Sequence, residues 1–378
     1  MDYLIQPADR ASFLRCRRAW DFGARARQNL EPADGQPAGW RPTAVVDRAL
    51  HDALAIYYFP GMWDWPAAIV LPRVRHAYER SVRDQLRALP PDRAAECGDA
   101  VAHGRGALEA YFEWAPTVDR LAPIRVATDV DVHIPDPTDA DRDLATADGW
   151  AIRFLERIDL LLIDEDNVYW VLDHRIAWDG WADVDELILE ERCLSWCWAW
   201  ELYYPGMYIA GTIYNELRPD LVEPATQPVP GEPVPVEFHS QPVTRSPVTQ
   251  HRRTYERPTG QVRAEGGPEV VQTPGEAFRR TRIRRSAAEL RSFGVRMAAV
   301  AAEMADPSLP VYPNPSPRVC AACAFRPPCI AMNVGDDLAA VLAGSYRERQ
   351  PEQVEEGRLG GSSWSMGRGA MPPKFPGR

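Results

Sequence analysis

Residues 157–175, RIDLLLIDEDNVYWVLDHR, constrain the fold of this chain more than any other segment. Two runs rich in aliphatic and β-branched residues, 158–163 and 168–172, flank the turn-forming sequence DEDN, so the segment predicts a β-hairpin. The near-continuous apolarity of both runs is typical of central strands that are covered on both faces. Asp159 and Asp173 then lie at facing ends of the two strands, where they can share a divalent metal.

A third ligand is available on a neighbouring helix. Residues 45–59, VVDRALHDALAIYYF, have apolar side chains at helical spacing, and His51 lies among them. An imidazole nitrogen together with carboxylate oxygens suits Mg²⁺ or Mn²⁺. Two plainer interpretations stay open, in which His51 is a structural histidine and Asp173 with Arg175 only marks where the strand reaches water.

The cysteines form a second candidate metal site. The chain has seven, with no apolar leader sequence, which predicts reduced thiols in a soluble cytoplasmic protein that does not enter a membrane. The spacing Cys320-x2-Cys323-x5-Cys329 places three thiolates within reach of one centre, and Cys16 is the candidate fourth ligand. Spacing alone allows either zinc or an iron-sulphur cluster.

The order of these features along the chain resembles a known family. A helix with His51, then Asp159, then Asp173-x-Arg175 after a hairpin, then a cysteine cluster is similar to the RecB-like nucleases of the PD-(D/E)xK superfamily. The iron-sulphur branch of CRISPR-associated and phage RecB-like exonucleases is the most similar, and its pattern can be traced across most of residues 11–347.

The resemblance implies an α/β fold with a restriction-endonuclease-like core, in which helices flank a mixed central sheet, with N-terminal helices and a C-terminal helical cysteine region. The implied ligands are His51, Asp159 and Asp173 for Mg²⁺ or Mn²⁺, and Cys16, Cys320, Cys323 and Cys329 for a [4Fe-4S] cluster, with zinc as the alternative. The implied activity is exonucleolytic hydrolysis of DNA in repair or recombination, with DNA and a separate helicase or other processing protein as partners.

Two motifs depart from the family pattern, at three positions. Arg175 replaces the usual lysine; it can neutralise a phosphate and stabilise developing charge, but it stays protonated and cannot act as a base. On the predicted helix 185–204, Arg192 and Trp196 replace the usual Gln-x-x-x-Tyr, and they are predicted to contact a phosphate and a base, respectively. Trp196 as a core residue is equally compatible. The alternative function is a pseudo-nuclease that binds DNA or a partner without cleaving.

Net charge is -11, so any DNA contact must rely on local basic clusters. Residues 278–285, FRRTRIRR, predict a basic turn that opens an amphipathic helix, with Arg282, Arg284 and Arg285 as candidate phosphate contacts. A solvated charged face explains the same pattern. A third function, redox or assembly through the cysteines without nucleic acid, has little positive support.

The predicted organisation is one composite domain without an ATPase motor, since the chain has no phosphate-binding glycine-rich loop. Its predicted parts are the N-terminal helices with the first cysteine and His51 (1–120), the α/β core (121–218), a proline-rich excursion (219–275), C-terminal helices with the cysteines (276–348) and a disordered tail (349–378).

Overall fold

A computed structural model of the protein describes residues 2–33, 40–139, 141–225, 270–273 and 275–349. Within these ranges the protein is a mixed α/β structure in which helices flank a mixed sheet. The fold class predicted from the sequence is therefore confirmed at this level. Most of the predicted proline-rich excursion, and the predicted tail from residue 350, lie outside the described residues.

The strands, in chain order, are β1 Tyr3–Ile5, β2 Leu30–Pro32, β3 Leu121–His133, β4 Ile152–Asp164, β5 Tyr169–Ile176, β6 Ile209–Leu217, β7 Val270–Thr273, β8 Phe278–Arg284 and β9 Tyr346–Glu348. The helices are α1 Pro7–Arg15, α2 Arg17–Gly23, α3 Thr43–Tyr57, α4 Ala67–Ala88, α5 Pro91–Glu96, α6 Gly98–Val118, α7 Val184–Leu189, α8 Glu191–Tyr203, α9 Ala287–Ala305, α10 Pro317–Ala321, α11 Arg326–Val334 and α12 Leu338–Ser345.

The main sheet has the strand order β1-β4-β5-β6-β8-β7, and β3 pairs along β4. Strands β4 and β5 are antiparallel, with Leu160 opposite Leu172 and Ile163 opposite Tyr169, so the predicted hairpin is confirmed. Both strands extend beyond their predicted bounds, so Asp159 and Asp173 lie within the strands and not at their ends. Strand β5 continues through α7 and α8 into β6, which is parallel to it, whereas β8 is antiparallel to β6. A small sheet of β2 and β9 pairs an early and a late part of the chain.

The central hairpin is buried on both faces, as its apolar sequence predicts. Leu161 and Val171 belong to the core that α8 and α9 cover. Leu160 and Leu172 belong to the core on the other side, which α3 and α6 cover. Successive side chains of a strand point to opposite faces, so both faces of the hairpin need apolar residues. The helices on both faces thereby hold β4 and β5 in the middle of the molecule.

At two places the observed local structure differs from the prediction. The predicted continuous helix 185–204 is divided into α7 and α8, because Glu190 between them has extended dihedral angles (φ -67°, ψ 121°). The segment 278–285 is not a basic turn, since residues up to Arg284 form strand β8. Helix α9 begins only after Ser286, whose side chain forms a capping box with Glu289.

A buried ion pair joins the N-terminal helices to the sheet. Arg280 on β8 is 3 % exposed and donates to the Asp119 carboxylate. The same guanidinium lies 2.6 Å from the Tyr58 hydroxyl, 3.0 Å from the Tyr111 hydroxyl and 3.0 Å from Asn215 Oδ1. Each polar group in this cluster has a partner, which is the condition under which a buried charge is tolerated.

We expect Arg280→Met to destabilise the protein by about 3–5 kcal/mol, because it leaves the Asp119 carboxylate buried without its cation. The double variant Arg280→Met/Asp119→Leu should recover much of that loss, since replacing both partners removes the unpaired charge. Urea unfolding of the three proteins measures both effects. If the double variant instead loses more stability than Arg280→Met alone, the unpaired Asp119 carboxylate is not the cause of the destabilisation.

Candidate functional site

The predicted carboxylates lie on the neighbouring strands β4 and β5. Asp173 is fully buried, and Asp159 is partly exposed, with 22 % of its side chain accessible. The two interact electrostatically: burial raises the pKa of Asp159, and the charge of Asp173 adds to that rise. Ala127 on β3, between Val126 and Thr128, which pair with Leu160 and Ile158, has a positive φ of 46°, an unusual conformation for a residue with a Cβ. Such backbone strain often lies next to functional sites.

His51 on α3 reaches the same place, as the sequence predicts. Its Nε2 lies 3.7 Å from Asp159 Oδ2 and 2.9 Å from the carbonyl oxygen of His174. Its Nδ1 lies 2.7 Å from the carbonyl oxygen of Asp47. Burial opposes charging of this imidazole, but Asp159 and the acceptor at Asp47 outweigh it, so the pKa of His51 is raised. A metal bound at Nε2 would displace the contact with the His174 carbonyl.

Both oxygens of Asp173 are occupied by arginine side chains. Arg175 Nε lies 2.7 Å from Asp173 Oδ2, and Arg192 donates to Oδ1. The buried carboxylate is thus compensated by two guanidinium groups, which is the alternative to compensation by a metal. The structure therefore brings together Arg175 and Arg192, two of the three residues at which the sequence departs from the nuclease pattern.

Glu190 belongs to the same site, which the sequence analysis did not predict. Because the chain is extended between α7 and α8 at this residue, its carboxylate reaches the guanidinium of Arg175 and lies 4.0 Å from Arg192 Nε. Its neighbour Glu191 instead pairs with Arg10 and Arg296. A break within a predicted helix has no clear sequence signal here, since no glycine or proline stands at that position.

The predicted metal ligands fit a divalent ion only in part. Ligand atoms around an octahedral ion lie about 3 Å apart when adjacent and about 4 Å apart when opposite, so His51 Nε2 and Asp159 Oδ2 have a suitable spacing. Asp173 does not complete this set as it stands, because each of its oxygens is paired with a guanidinium group and the ligand atoms of His51, Asp159 and Asp173 do not all lie within 4.8 Å of one another. Among the described residues, the group whose ligand atoms all lie within 4.8 Å of one another is Asp173, Glu190 and Cys193.

That compact group is a poorer metal site than its spacing suggests. Burial raises the pKa of the Cys193 thiol well above its usual value, which keeps it protonated. The carboxylates of Asp173 and Glu190 are already bridged by Arg175. The group has ligand atoms for a metal ion, but its charge is neutralised by protein side chains.

The predicted DNA contacts differ in their access to solvent. Arg192 is nearly half exposed, with its guanidinium 5.0 Å from the Trp196 ring, whereas Trp196 is 1 % exposed and belongs to the core. The alternative interpretation of Trp196 as a core residue therefore describes its place in the structure. A base cannot stack on it in this arrangement.

The three candidate arginines on and beside β8 also differ in their access to solvent. Arg285 is buried and donates to the carbonyl oxygens of Leu187 and Ile188, so its guanidinium is not available to a phosphate in this arrangement. Arg282 and Arg284 lie on β8 with their guanidinium groups 5.7 and 5.3 Å from the Trp170 ring, respectively. These two are partly exposed, on the same side of the strand.

Glu156 on β4 is a buried carboxyl group close to this site. Burial raises its pKa to about 7, although the Trp196 indole and the Arg192 guanidinium favour the charged form. The Ser195 hydroxyl lies 3.5 Å from its carboxylate. Because the pKa is higher in the folded state than the usual value near 4.3 in an unfolded chain, the folded protein binds more protons between these values.

Glu156 should therefore make the protein less stable as the pH rises from about 4.5 to about 7, by at most about 3 kcal/mol. Glu156→Gln stays neutral throughout, so its melting temperature relative to wild type should increase between pH 5 and pH 8. Thermal unfolding at both values measures this, with exposed Glu165→Gln as the reference. A difference that does not change with pH would mean that Glu156 is not held in a desolvated site.

The four predicted cluster cysteines converge in the structure. Cys16 lies between α1 and α2, and Cys320, Cys323 and Cys329 lie on or beside α10 and α11. All four line one cavity of about 680 Å³. Burial raises the pKa of the Cys323 thiol, a backbone hydrogen bond at Phe325 opposes this, and the other three thiols raise it further.

Hydrogen-bond donors point at three of these sulfur atoms. The backbone N–H groups of Asn314 and Ser316 lie 3.4 Å from the sulfurs of Cys16 and Cys320, respectively. Arg18 points a guanidinium nitrogen at the sulfur of Cys329, 3.8 Å away. The Nε of Arg18 is buried and has no hydrogen-bond partner among the described residues. Donors around thiolate sulfurs are a usual feature of metal centres.

The remaining three cysteines lie outside this cavity. Cys193 and Cys197 on α8 are fully buried, and Cys97 is buried between α5 and α6.

A comparison of the chain with protein-family models found no match, and a comparison with curated protein sequences also found none. Among the described helices, none has the length and apolarity needed to cross a bilayer.

Proposed function

We propose that this protein is a RecB-like, divalent-metal-dependent nuclease that hydrolyses DNA, with exonuclease action and a cysteine-bound iron-sulphur cluster. One observation carries the proposal: His51 from α3 lies 3.7 Å from Asp159 of β4, beside the buried Asp173 of β5. These residues are far apart in sequence, and their order was the basis of the resemblance. Their convergence supports a shared metal site.

The topology of the central strands supports a restriction-endonuclease-like core. Strands β3, β4 and β5 are consecutive and antiparallel, and β6 follows β5 in parallel after a helical crossover. Helices cover both faces of these strands. The candidate carboxylates lie on the two strands that both helical layers support, which is where rigid positioning is greatest.

His51, Asp159 and Asp173 would hold the metal. When bound, Mg²⁺ or Mn²⁺ supplies a Lewis acid that acidifies water and polarises the phosphate. Arg175 is suited to stabilising negative charge on the phosphate, because Asp173 and Glu190 fix its guanidinium, which lies 4.7 Å from the centre of the Tyr214 ring. An arginine remains protonated, so proton transfer from the attacking water must go to another acceptor.

An iron-sulphur cluster fits the cysteine site better than zinc. Tetrahedral zinc with Zn–S bonds of about 2.3 Å would hold the four sulfurs about 3.8 Å apart. The four cysteines do not form a group of three within 4.8 Å, although all four face the same cavity. A four-iron cluster would be held by the same four thiolates, one to each iron, without requiring them to meet around a single ion. The unpartnered Nε of Arg18 and the two backbone donors support a centre with additional acceptors.

A second candidate function is the pseudo-nuclease, which keeps DNA or partner binding without cleavage. It is favoured by the two arginines that occupy both oxygens of Asp173. In this candidate the guanidinium groups permanently replace the metal as the compensating charge. Salt-dependent DNA affinity without metal-dependent cleavage would distinguish it from the nuclease.

Asp159→Asn should reduce the rate at which labelled linear DNA is cleaved by at least about 100-fold. Mutating a residue that only hydrogen-bonds to a metal ligand already lowers metal affinity or activity by about 10–100-fold, and Asp159 is proposed to be a ligand itself. Single- and double-stranded substrates are incubated with Mn²⁺ or Mg²⁺ and anaerobically purified protein. Asp129→Asn, at an exposed aspartate on the adjacent strand, is the matched control and should retain activity. Wild-type protein that binds DNA but never cleaves it would overturn the nuclease and support the pseudo-nuclease.

Anaerobically purified protein should contain about four iron and four sulphide per chain, and Cys323→Ser should lose most of both. Cys97→Ala, at a buried cysteine outside the cavity, is the control and should retain them. Elemental analysis and visible absorption measure the content. One zinc per chain without sulphide would identify a structural zinc site instead.

A further inference from the structure

We infer that Arg192 is a latch on the metal site: it occupies Asp173 when no nucleic acid is bound, and it leaves for a DNA phosphate, so that DNA binding increases the affinity for the metal. The inference rests on the proposed function of this site. It concerns a residue at which the chain departs from related nucleases, and it assigns the departure a role in coupling substrate to cofactor.

The two arginines on Asp173 are held very differently. Arg175 is fixed by Asp173, by Glu190 and by the Tyr214 ring, and 23 % of its side chain is exposed. Arg192 has Asp173 as its close carboxylate partner, with Glu190 at 4.0 Å and the centre of the Trp196 ring 5.0 Å from its guanidinium, and 45 % of its side chain is exposed. The more exposed guanidinium, which has only one close carboxylate partner, is the one that can exchange its partner.

The charge balance explains why this guanidinium matters for a cation. Asp173 pairs with both arginines, and Glu190 pairs with Arg175. With Arg192 in place, Asp173 Oδ1 is already occupied by a guanidinium group. A divalent cation must therefore compete with Arg192 for the same oxygen and against its positive charge.

A phosphate offers Arg192 an alternative partner. Its position on the first turn of α8 leaves the guanidinium open to solvent, and a guanidinium binds phosphate oxygens through paired hydrogen bonds. Moving Arg192 to a phosphate frees Asp173 for the metal, while the bound metal in turn disfavours the return of Arg192. The two binding events must then strengthen each other by the same factor.

The test measures how tightly the cluster-loaded protein binds Mn²⁺. The concentration of free Mn²⁺ is determined from its electron paramagnetic resonance signal. Without DNA, Arg192→Gln should bind Mn²⁺ about 5- to 150-fold more tightly than wild type, the usual range of such coupling. Arg296→Gln is the matched control, because it removes an equally exposed arginine that pairs with Glu191 away from Asp173. Its affinity should equal that of wild type.

A second arm adds a short DNA oligonucleotide and checks its integrity on a gel. DNA should tighten Mn²⁺ binding to wild type but change the affinity of Arg192→Gln much less, since the latch is already absent. Adding Asp173→Asn to Arg192→Gln should abolish the gain, because Asp173 is the ligand that the latch releases. Cluster absorbance confirms that each variant is folded.

The outcomes separate the latch from the proposed function. Equal and measurable Mn²⁺ affinity in wild type and Arg192→Gln would overturn the latch and leave the metal site intact. Absence of Mn²⁺ binding in both proteins, with and without DNA, would overturn the metal site itself and the latch with it. Tighter binding in Arg296→Gln as well would assign the effect to overall charge and also overturn the latch.

Discussion

The arrangement of the candidate site depends on one constraint, the full burial of a carboxylate at Asp173 in the middle of a central strand. An ionised group in that position must have a compensating charge, and the protein supplies it with Arg175 and Arg192. The extended residue between α7 and α8 follows from the same need, because it brings Glu190 to the other side of Arg175. The charge that makes Asp173 a candidate metal ligand is also what recruits the arginines that compete with a metal.

The two candidate metal centres have different structural roles. The carboxylate site lies on β4 and β5, which are supported by helices on both faces, so its residues are held by the main core. The cysteine site connects α1 and α2 with α10 and α11, and the short pairing of β2 with β9 lies nearby in the chain. A bound centre there would stabilise the closure of the two chain ends, as structural metals do in regions with little core of their own.

Much of the fold follows from local sequence. The hairpin, the helix with His51 and the buried thiols of α8 were predictable because apolar spacing identifies strands and helices directly. The break at Glu190 and strand β8 were not predictable in this way. Residues 278–285 were interpreted as a basic turn because five arginines cluster there, but pairing with β6 makes the segment a strand. The spacing of charges did not reveal which arginines would be buried, as Arg280 and Arg285 are.

The sequence by itself determined the ligand types and the order in which they occur: a histidine, two aspartates on a hairpin and the cysteine set. Only the tertiary structure decided which charges neutralise which. Residue type and spacing specify what a side chain can bind, whereas its actual partner depends on elements distant in the chain that compete for it. At Asp173 that competition includes Arg192, which lies one helix beyond the hairpin, and the contact exists only because α8 packs against β5.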